Sequence, residues 1–391
     1  MSKTPVSSFG IGHQMKIYWD GRDQGPPALP VTIEKLRELA RAALPPAAFA
    51  YIGGAGLEET MAANRSDFGA WRIVPRMLTD LSTRSLASTI HGQASSAPVM
   101  IAPIGLHELY HPEGELPAAR AAAARKIPFT LSCQSSRTIE DVAAAMGDAP
   151  RFFQLYWSRD RDLTRSFIRR AEAAGFSALV VTLDTRLLGW RPHDLDLGHN
   201  PFLLGKGQAN YTSDPVFRAA LARPPEEDRL AATKHFLTVF NDLAITWDDL
   251  AWLRAQTKLP ITLKGILHPD DARRALACGM QGLIVSNHGG RQVDGGISAI
   301  AALPAIVDAV GGQLEIGLDS GIRSGADAVK ALALGANYIG LGRPCVYGLA
   351  AGGETGVGWV IDNFTTELDL TMTLSGCTSP AHLKRDLLVR A

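Results

Sequence analysis

The sequence predicts an α/β fold of the closed (β/α)8 type, a TIM barrel. Three observations carry that reading. Eight short, near-continuously apolar runs recur along the chain, amphipathic Ala-rich segments follow most of them, and polar or ionisable residues gather at their C-terminal ends. A strand covered on both faces is apolar throughout instead of alternating. Eight strand–helix repeats close a barrel, whose chemistry sits at the C-terminal strand ends. A doubly wound open sheet is the alternative; the count of eight and the polar strand ends favour the barrel.

Residues 1–30 are polar and rich in Gly and Pro, so they read as a surface arm. VTIEKLRELARAALP then has helical spacing, with Thr32 placed as N-cap and Pro45-Pro46 as the stop, and begins an N-terminal helical extension. The predicted strands are 98–105, 128–134, 151–157, 178–184, 260–266, 282–289, 315–321 and 338–343. The clearest helices between them are GELPAARAAAARK, TIEDVAAAMG, RDLTRSFIRRAEAAG, DDARRALACG and GADAVKALALGA. The interval from Asp184 to Pro260 is far longer than the rest. WDDLAWLRAQT supplies its helix and leaves residues 190–245 as an insertion after the fourth strand. Such an insertion is expected over the active face as a lid, with a surface excursion or subunit contact as the plainer alternative. The chain therefore divides into an arm, 1–30, and one barrel domain, 31–391.

Bulk composition excludes more than it names. Of 391 residues, 46% are hydrophobic and 20% charged, enough apolar content for a sizeable core. Lys plus Arg equals Asp plus Glu at 39 each, so no overall field draws the protein to nucleic acid or a membrane surface. Cys133, Cys278, Cys345 and Cys377 are scattered, with neither a disulfide framework nor metal-ligand spacing. No metal is expected. The first residues do not resemble a signal peptide, and no apolar run is long enough to span a bilayer. The expectation is a soluble, cytoplasmic protein.

The strand ends carry the candidate chemistry: Gln154 and Tyr156, Asp184, Lys264, Ser286 with His288, Asp319 with Arg323, and Gly342 with Arg343. A lone His after a strand is usually structural. His288 instead sits in SNHGGRQVDGG beside Arg291, where Gly289 and Gly290 allow close backbone approach, and is read as a catalytic base. DSGIRSG and GLGRP close the last two strands. Loops there commonly hold phosphate through backbone N–H groups, and arginines add charge-assisted bonds. Lys264 would serve as a Schiff-base amine or as a fixed cation beside developing negative charge, unless it is only a solvated strand end.

SNHGGRQVDGG, with LKGI before it and DSGIR and GLGRP after it, resembles the FMN-dependent 2-hydroxy acid oxidases and dehydrogenases. The likeness runs from about residue 31 to about residue 376. LPPAAFAYIGGAG, PRML, APIG, FFQLYW, TLDTRLLGWRPHDL and HPDDARRA look most like lactate 2-monooxygenase. The resemblance implies that Tyr51, Tyr156, Arg191 and Arg291 hold the substrate, that His288 takes a proton and that Asp184 orients it. It places Lys264 at the flavin N1–C2 edge, against a Schiff base. Ala102, Pro103, Ile104 and Gly105 would pass along the flavin. Ser132, Gln154, Thr182 and Ser286 would hydrogen-bond it, while Asp319, Gly321, Arg323, Gly342 and Arg343 would bind its ribityl chain and phosphate. The roles of Tyr51, Ser132, Thr182, Arg191 and the APIG segment rest on the resemblance alone.

Some positions depart from family members. Gln134 stands where glycolate oxidase has Trp, and HELYHPEGE departs from lactate 2-monooxygenase, its HPEG looking more like glycolate oxidase. DSGIR replaces DGGVR, an exchange expected to be tolerated with a negative φ at Ser320. The implied reaction is oxidation of a small L-2-hydroxy acid, lactate first, to the keto acid with O2 as acceptor. The monooxygenase outcome, acetate plus CO2, is favoured over release of keto acid and H2O2 or a dehydrogenase using another acceptor. A non-redox FMN or phosphate barrel is the rival of another class. A homotetramer or homo-octamer is implied by the resemblance.

Overall fold

The computed structural model describes residues 9–391. Its barrel strands are β1 Val99–Ile101, β2 Phe129–Ser132, β3 Arg151–Leu155, β4 Leu179–Thr182, β5 Ile261–Ile266, β6 Gly282–Val285, β7 Glu315–Leu318 and β8 Tyr338–Leu341. Each lies inside one of the eight apolar runs. They pair in parallel in chain order, and β8 returns to β1, Ile339 opposite Val99, to close the barrel.

The period-two alternation of a strand explains why these runs are apolar without a break. Outward residues such as Val99, Phe129, Phe153, Val181, Leu263, Val285, Leu318 and Leu341 join the large core shared with the surrounding helices. Inward residues Met100, Phe152, Val180, Ile284 and Tyr338 form a separate apolar cluster inside the barrel. Gly317 makes room for the Tyr338 ring: a Cβ there would lie 2.5 Å from it. A hairpin of Ser88–Ile90 with Gln93–Ser95 stoppers this end. Its His91 ring stands 5.2 Å from Phe152 and 5.6 Å from Tyr338, edge-on to both.

Helices follow the strands where the sequence places them, among them Leu116–Ala124, Ile139–Met146, Arg161–Ala173, Pro269–Ala277 and Gly325–Ala333. Thr138 and Ser324 start theirs with reciprocal capping boxes, satisfying amides that the first helical turn leaves free. Helix Arg343–Leu374 follows β8, kinked at Gly352 and Gly353. Ahead of the barrel lie Ile33–Ala43, Pro46–Gly53 and Glu59–Ser66; Thr32 occupies the N-cap position of the first but makes no side-chain capping bond.

The arm reading differs from the structure. Residues Phe9–Gln24 are helical, despite three glycines that lower intrinsic propensity. Docking on the last helix compensates: Gly10 N donates to Asp369 Oδ2 at 3.2 Å, and His13 Nε2 lies 2.9 Å from Asn363 Oδ1. Residues 1–8 of the arm lie outside the described residues.

The insertion folds as short helical segments, Pro192–Asp196, Pro201–Leu204, Ala209–Thr212, Pro215–Ala219 and Arg229–Val239. They share an aromatic core: Tyr211 packs edge-on against Phe236 at 4.8 Å and Phe217 at 5.8 Å, and Phe202 lies 5.7 Å from Phe236. Polar ties hold it to the barrel top. Glu108 accepts from Lys206 Nζ (2.8 Å) and Gly207 N (3.0 Å), and Asn210 Nδ2 donates to Ser135 Oγ (2.8 Å). No helix among the described residues is long and apolar enough to cross a membrane.

Candidate active site

Above the apolar layer, the inward positions turn polar. Ser132, Gln154, Thr182, Lys264 and Ser286 each follow an inward residue of the lower layer by two positions, so the same alternation that fills the barrel aims them at its mouth. All five are buried, as is Asp319 just past β7. Ser132 Oγ donates to Gln154 Oε1 at 2.9 Å, which leaves Gln154 Nε2 buried with no partner; Thr182 Oγ1 is likewise unpartnered. Buried polar atoms are normally satisfied, so these two suit a polar ligand at the barrel mouth.

Lys264 ends in a cage. Its Nζ donates to Ser286 Oγ at 2.9 Å and lies 3.6 Å from Asp184 Oδ2 and 3.5 Å from Asp319 Oδ2. Burial alone would lower its pKa, but the two carboxylates outweigh that and raise it. The amine is therefore a fixed ammonium, which suits a cation beside developing negative charge and not a nucleophile. Asp184 shows the converse. Burial pushes its carboxyl up, yet Lys264 and His288 hold it well below the usual carboxylate range.

His288 stands at the head of a short turn with φ +59, followed by Gly289 at +68 and Gly290 at +80. Its Nδ1 lies 2.8 Å from Asp184 Oδ1 and 3.1 Å from Thr185 Oγ1, which itself donates to Asp184 Oδ1 at 2.9 Å. A carboxylate at Nδ1 fixes the proton there and leaves the Nε2 lone pair free. Burial, only partly opposed by Asp184, lowers the imidazole pKa below its ordinary 6.5, so the neutral, basic form prevails at neutral pH.

Two arginines face this pair. Arg291 Nη1 donates to Gly54 O at 2.8 Å and its guanidinium lies 4.8 Å from the Tyr51 ring centroid; Arg191 lies 5.8 Å from the same ring. Arg191 Nη2 donates to Gln292 Oε1 at 2.9 Å. Both are buried, and no ion pair with a carboxylate forms at either among the described residues. Burial and the neighbouring Arg291 lower the Arg191 pKa. A carboxylate bound between them would relieve that repulsion bidentately. Tyr156, buried against Phe240 at 5.4 Å, has its phenol pushed up by burial and by Asp184, so it stays protonated and able to donate.

At the other end of the same cavity, which holds about 450 Å³, lie Gly321, Arg323, Gly342 and Arg343. Arg323 is partly buried and donates to Ile322 O at 2.8 Å; desolvation lowers its pKa. Arg343, at the N-terminus of the last helix, braces Ile52 O, Gly289 O and Gly54 O, which occupies three of its five N–H groups; burial pulls its pKa down to about 9. Neither is ion-paired to a carboxylate among the described residues. Two desolvated cations beside glycines and a helix N-terminus suit a phosphate. Ala102, Pro103, Ile104 and Gly105 line the wall between the two ends.

All the residues proposed from sequence thus gather in one place. Tyr51, Tyr156, Arg191, Lys264, His288, Arg291 and the phosphate-end residues line the cavity directly, while Gln154, Thr182, Asp184 and Ser286 stand behind that lining. One expectation changes: Ser320 has φ +72, not a negative value. Gly105 lines the cavity as expected, and Gln134 leaves it no room for a side chain, since the Gln134 carbonyl would lie 2.6 Å from an added Cβ. Sequence reasoning also missed Thr185 and Gln292, the latter donating to Asp184 O at 3.0 Å and Leu187 O at 2.8 Å. Their signal was adjacency alone: each follows a residue already singled out. Among the described residues no cluster of His, Cys, Asp or Glu is placed to hold a metal.

A barrel that sets a neutral imidazole against two unpaired arginines, with a second arginine pair deeper in the same cavity, is made for an anionic substrate lying beside a phosphorylated cofactor. Residues 40–390 match the family described as FMN-dependent dehydrogenase, and the chain belongs to it. It is 44% identical to the FMN-dependent alpha-hydroxy acid dehydrogenase qulF of Penicillium citrinum, covering 99% of this chain and 97% of that protein. It is 43% identical to an L-lactate oxidase of Lysinibacillus sphaericus, over 92% and 93% of the two chains. A solved structure of mandelate oxidase with (S)-4-hydroxymandelic acid superposes with a TM-score of 0.83 at 38% identity, covering 93% of this chain and 99% of that one. The cofactor is FMN, and the unpartnered Gln154 and Thr182 atoms with the buried arginines fit it.

Proposed function

We propose that the chain oxidises a small L-2-hydroxy acid, lactate first, to the 2-keto acid, with O2 as final acceptor. The observation that carries the reading is the His288–Asp184 contact of 2.8 Å facing Arg191, Arg291 and Tyr51, arginines that have no acidic partner of their own. The substrate carboxylate binds the two guanidinium groups, and the Tyr51 and Tyr156 hydroxyls orient the rest. FMN, when bound, supplies the two-electron acceptor. Gln154, Thr182, Ser132 and Ser286 hold its polar ring edge, and Asp319, Gly321, Arg323, Gly342 and Arg343 its ribityl chain and phosphate. His288 Nε2 takes the proton released as the keto acid forms, and Asp184 stabilises the resulting imidazolium. The Lys264 ammonium offsets negative charge at the barrel centre.

The insertion supports the monooxygenase outcome. Asn200, Phe202, Phe236, Leu237, Phe240 and Leu243 wall the cavity mouth, as a lid retaining the keto acid would. Retained keto acid would be oxidatively decarboxylated by the H2O2 that O2 yields on reoxidising the cofactor, giving acetate, CO2 and water; released keto acid leaves with that H2O2 unconsumed. A second reading, favoured by the apolar Leu188 and Phe240 at the mouth, is an oxidase acting on a bulkier, aromatic 2-hydroxy acid. Incubating the FMN-loaded protein with L-lactate in air decides between them. Acetate plus CO2 supports the proposal, pyruvate plus H2O2 moves it to an oxidase, and no turnover of lactate beside turnover of mandelate moves it to the second reading. The free cysteines fit the reducing, cytoplasmic setting expected from sequence.

A further inference from the structure

Ser320 occupies a backbone position that disfavours it, and its hydroxyl accounts for its presence there. With φ +72 the residue is in the left-handed region, where glycine is unstrained and serine is not. Its Oγ donates to Asp319 Oδ1 at 2.9 Å and accepts from Asn287 N at 3.3 Å and Gly289 N at 3.0 Å. A hydroxyl has one proton and two lone pairs, so all three capacities are used. The two amides flank His288, whose own N–H donates to Ser286 Oγ at 3.1 Å. The three successive amides of Asn287, His288 and Gly289, which lead into the left-handed turn, are thus all held by two serine hydroxyls.

These bonds close a circuit. His288 reaches Asp184, Asp184 reaches Lys264, Lys264 reaches Asp319, Asp319 takes the Ser320 proton, and Ser320 holds the backbone on either side of His288. We propose that Ser320 is a positioning residue that fixes the His288 turn, and hence the imidazole, relative to the Lys264 ammonium. The inference rests on the hydroxy acid oxidation proposed above and adds a determinant of rate to it. Glycine would relieve the strain while removing the hydroxyl; alanine would remove the hydroxyl and keep the strain. The pair therefore separates backbone comfort from positioning.

The test compares wild type, Ser320→Gly and Ser320→Ala as FMN-loaded proteins. Flavin bleaching by L-lactate or L-mandelate, whichever bleaches wild type faster, is followed anaerobically across substrate concentrations, with flavin content and thermal midpoint recorded for each. Both variants should retain flavin and substrate Kd, while the limiting rate of bleaching falls on the order of 10- to 100-fold, as slight misplacement of a reacting group does. Ser320→Gly should melt no lower than Ser320→Ala. A limiting rate in Ser320→Gly equal to wild type overturns the inference, and so does a loss expressed only as weaker substrate binding or a lower thermal midpoint. If neither acid bleaches the wild type, the oxidation proposal fails and this inference falls with it; bleaching of wild type and Ser320→Gly at equal rates removes this inference alone.

Discussion

Replacing Asp184 by Asn removes one charge and little volume, from the residue on which both His288 and Lys264 depend. At the 2.8 Å contact between Asp184 Oδ1 and His288 Nδ1, an effective dielectric of ~20 gives an attraction of about 6 kcal/mol once the imidazole is protonated. The amide keeps a neutral hydrogen bond worth about 1 kcal/mol. Relaxation takes a further share, so about 4 kcal/mol of imidazolium stabilisation disappears, or about 10³ in rate. Lys264 retains Asp319 at 3.5 Å and so stays charged. Arg191 and Arg291 form no hydrogen bond or ion pair with the Asp184 side chain, and Gln292 holds only its backbone oxygen. Anaerobic stopped-flow bleaching should therefore show a limiting rate down by about 10³ with substrate Kd nearly unchanged. The pH profile adds a second check. Wild-type reduction needs neutral His288, whose pKa lies below 6.5, so the rate falls only as pH drops through that lowered value. Without the carboxylate the imidazolium is less stable still, and the inflection moves further to acid. A loss smaller than about tenfold, or an inflection moving to higher pH, refutes the role given to Asp184.

The phosphate end and the protein's acid stability give two further tests. Arg323→Met should weaken FMN binding to apoprotein by roughly 10- to 100-fold, the worth of a charge-assisted bond, as read by flavin fluorescence titration. The variant apoprotein should melt no lower than wild-type apoprotein, because a partly buried cation with no ion-paired carboxylate is removed; equal FMN affinity would exclude Arg323 from the phosphate site. His107, buried with neither ring nitrogen bonded, has its pKa lowered from 6.5 to about 4 by burial. Between those values the unfolded chain binds the proton and the folded one does not, so stability falls as pH drops from 6.5 to 4, by about 3 kcal/mol in all. His107→Leu should flatten that part of the denaturation profile relative to wild type; identical slopes would refute it.

The barrel was legible because two physical signals coincided. Burial on both faces made each strand continuously apolar, and the break in that pattern two residues past Phe152 or Ile284 marked Gln154 and Ser286 as strand-end polar residues, whereas Thr182, two past Val180, came from the family resemblance alone. His288 was legible for the same reason, with the glycines after it. The helix Phe9–Gln24 was not, since local propensity opposes it and its support comes from Asp369 and Asn363, more than three hundred residues away in sequence. Ser320 was misjudged because a side chain's effect on φ depends on bonds to another strand's loop. Thr185 and Gln292 act by orientation, which residue type alone does not reveal.

The insertion bears on the chemistry through Thr185. Asn241 Nδ2 donates to the carbonyl of Thr185 and, at 2.8 Å, to that of Arg186, while Arg186 donates back to Leu243 O. Thr185 in turn bonds both members of the His288–Asp184 pair. Any movement that lifts residues 241–245 from the cavity must break these carbonyl bonds or draw Thr185 with them. The far side of the insertion is held separately, through Glu108 to Lys206 and Gly207. The insertion is thus tied at one edge to the residue that bonds His288 and Asp184 and at the other to the loop after β1. Under the proposed function, opening of the insertion for product release and the setting of His288 would be linked through Asn241 and Thr185.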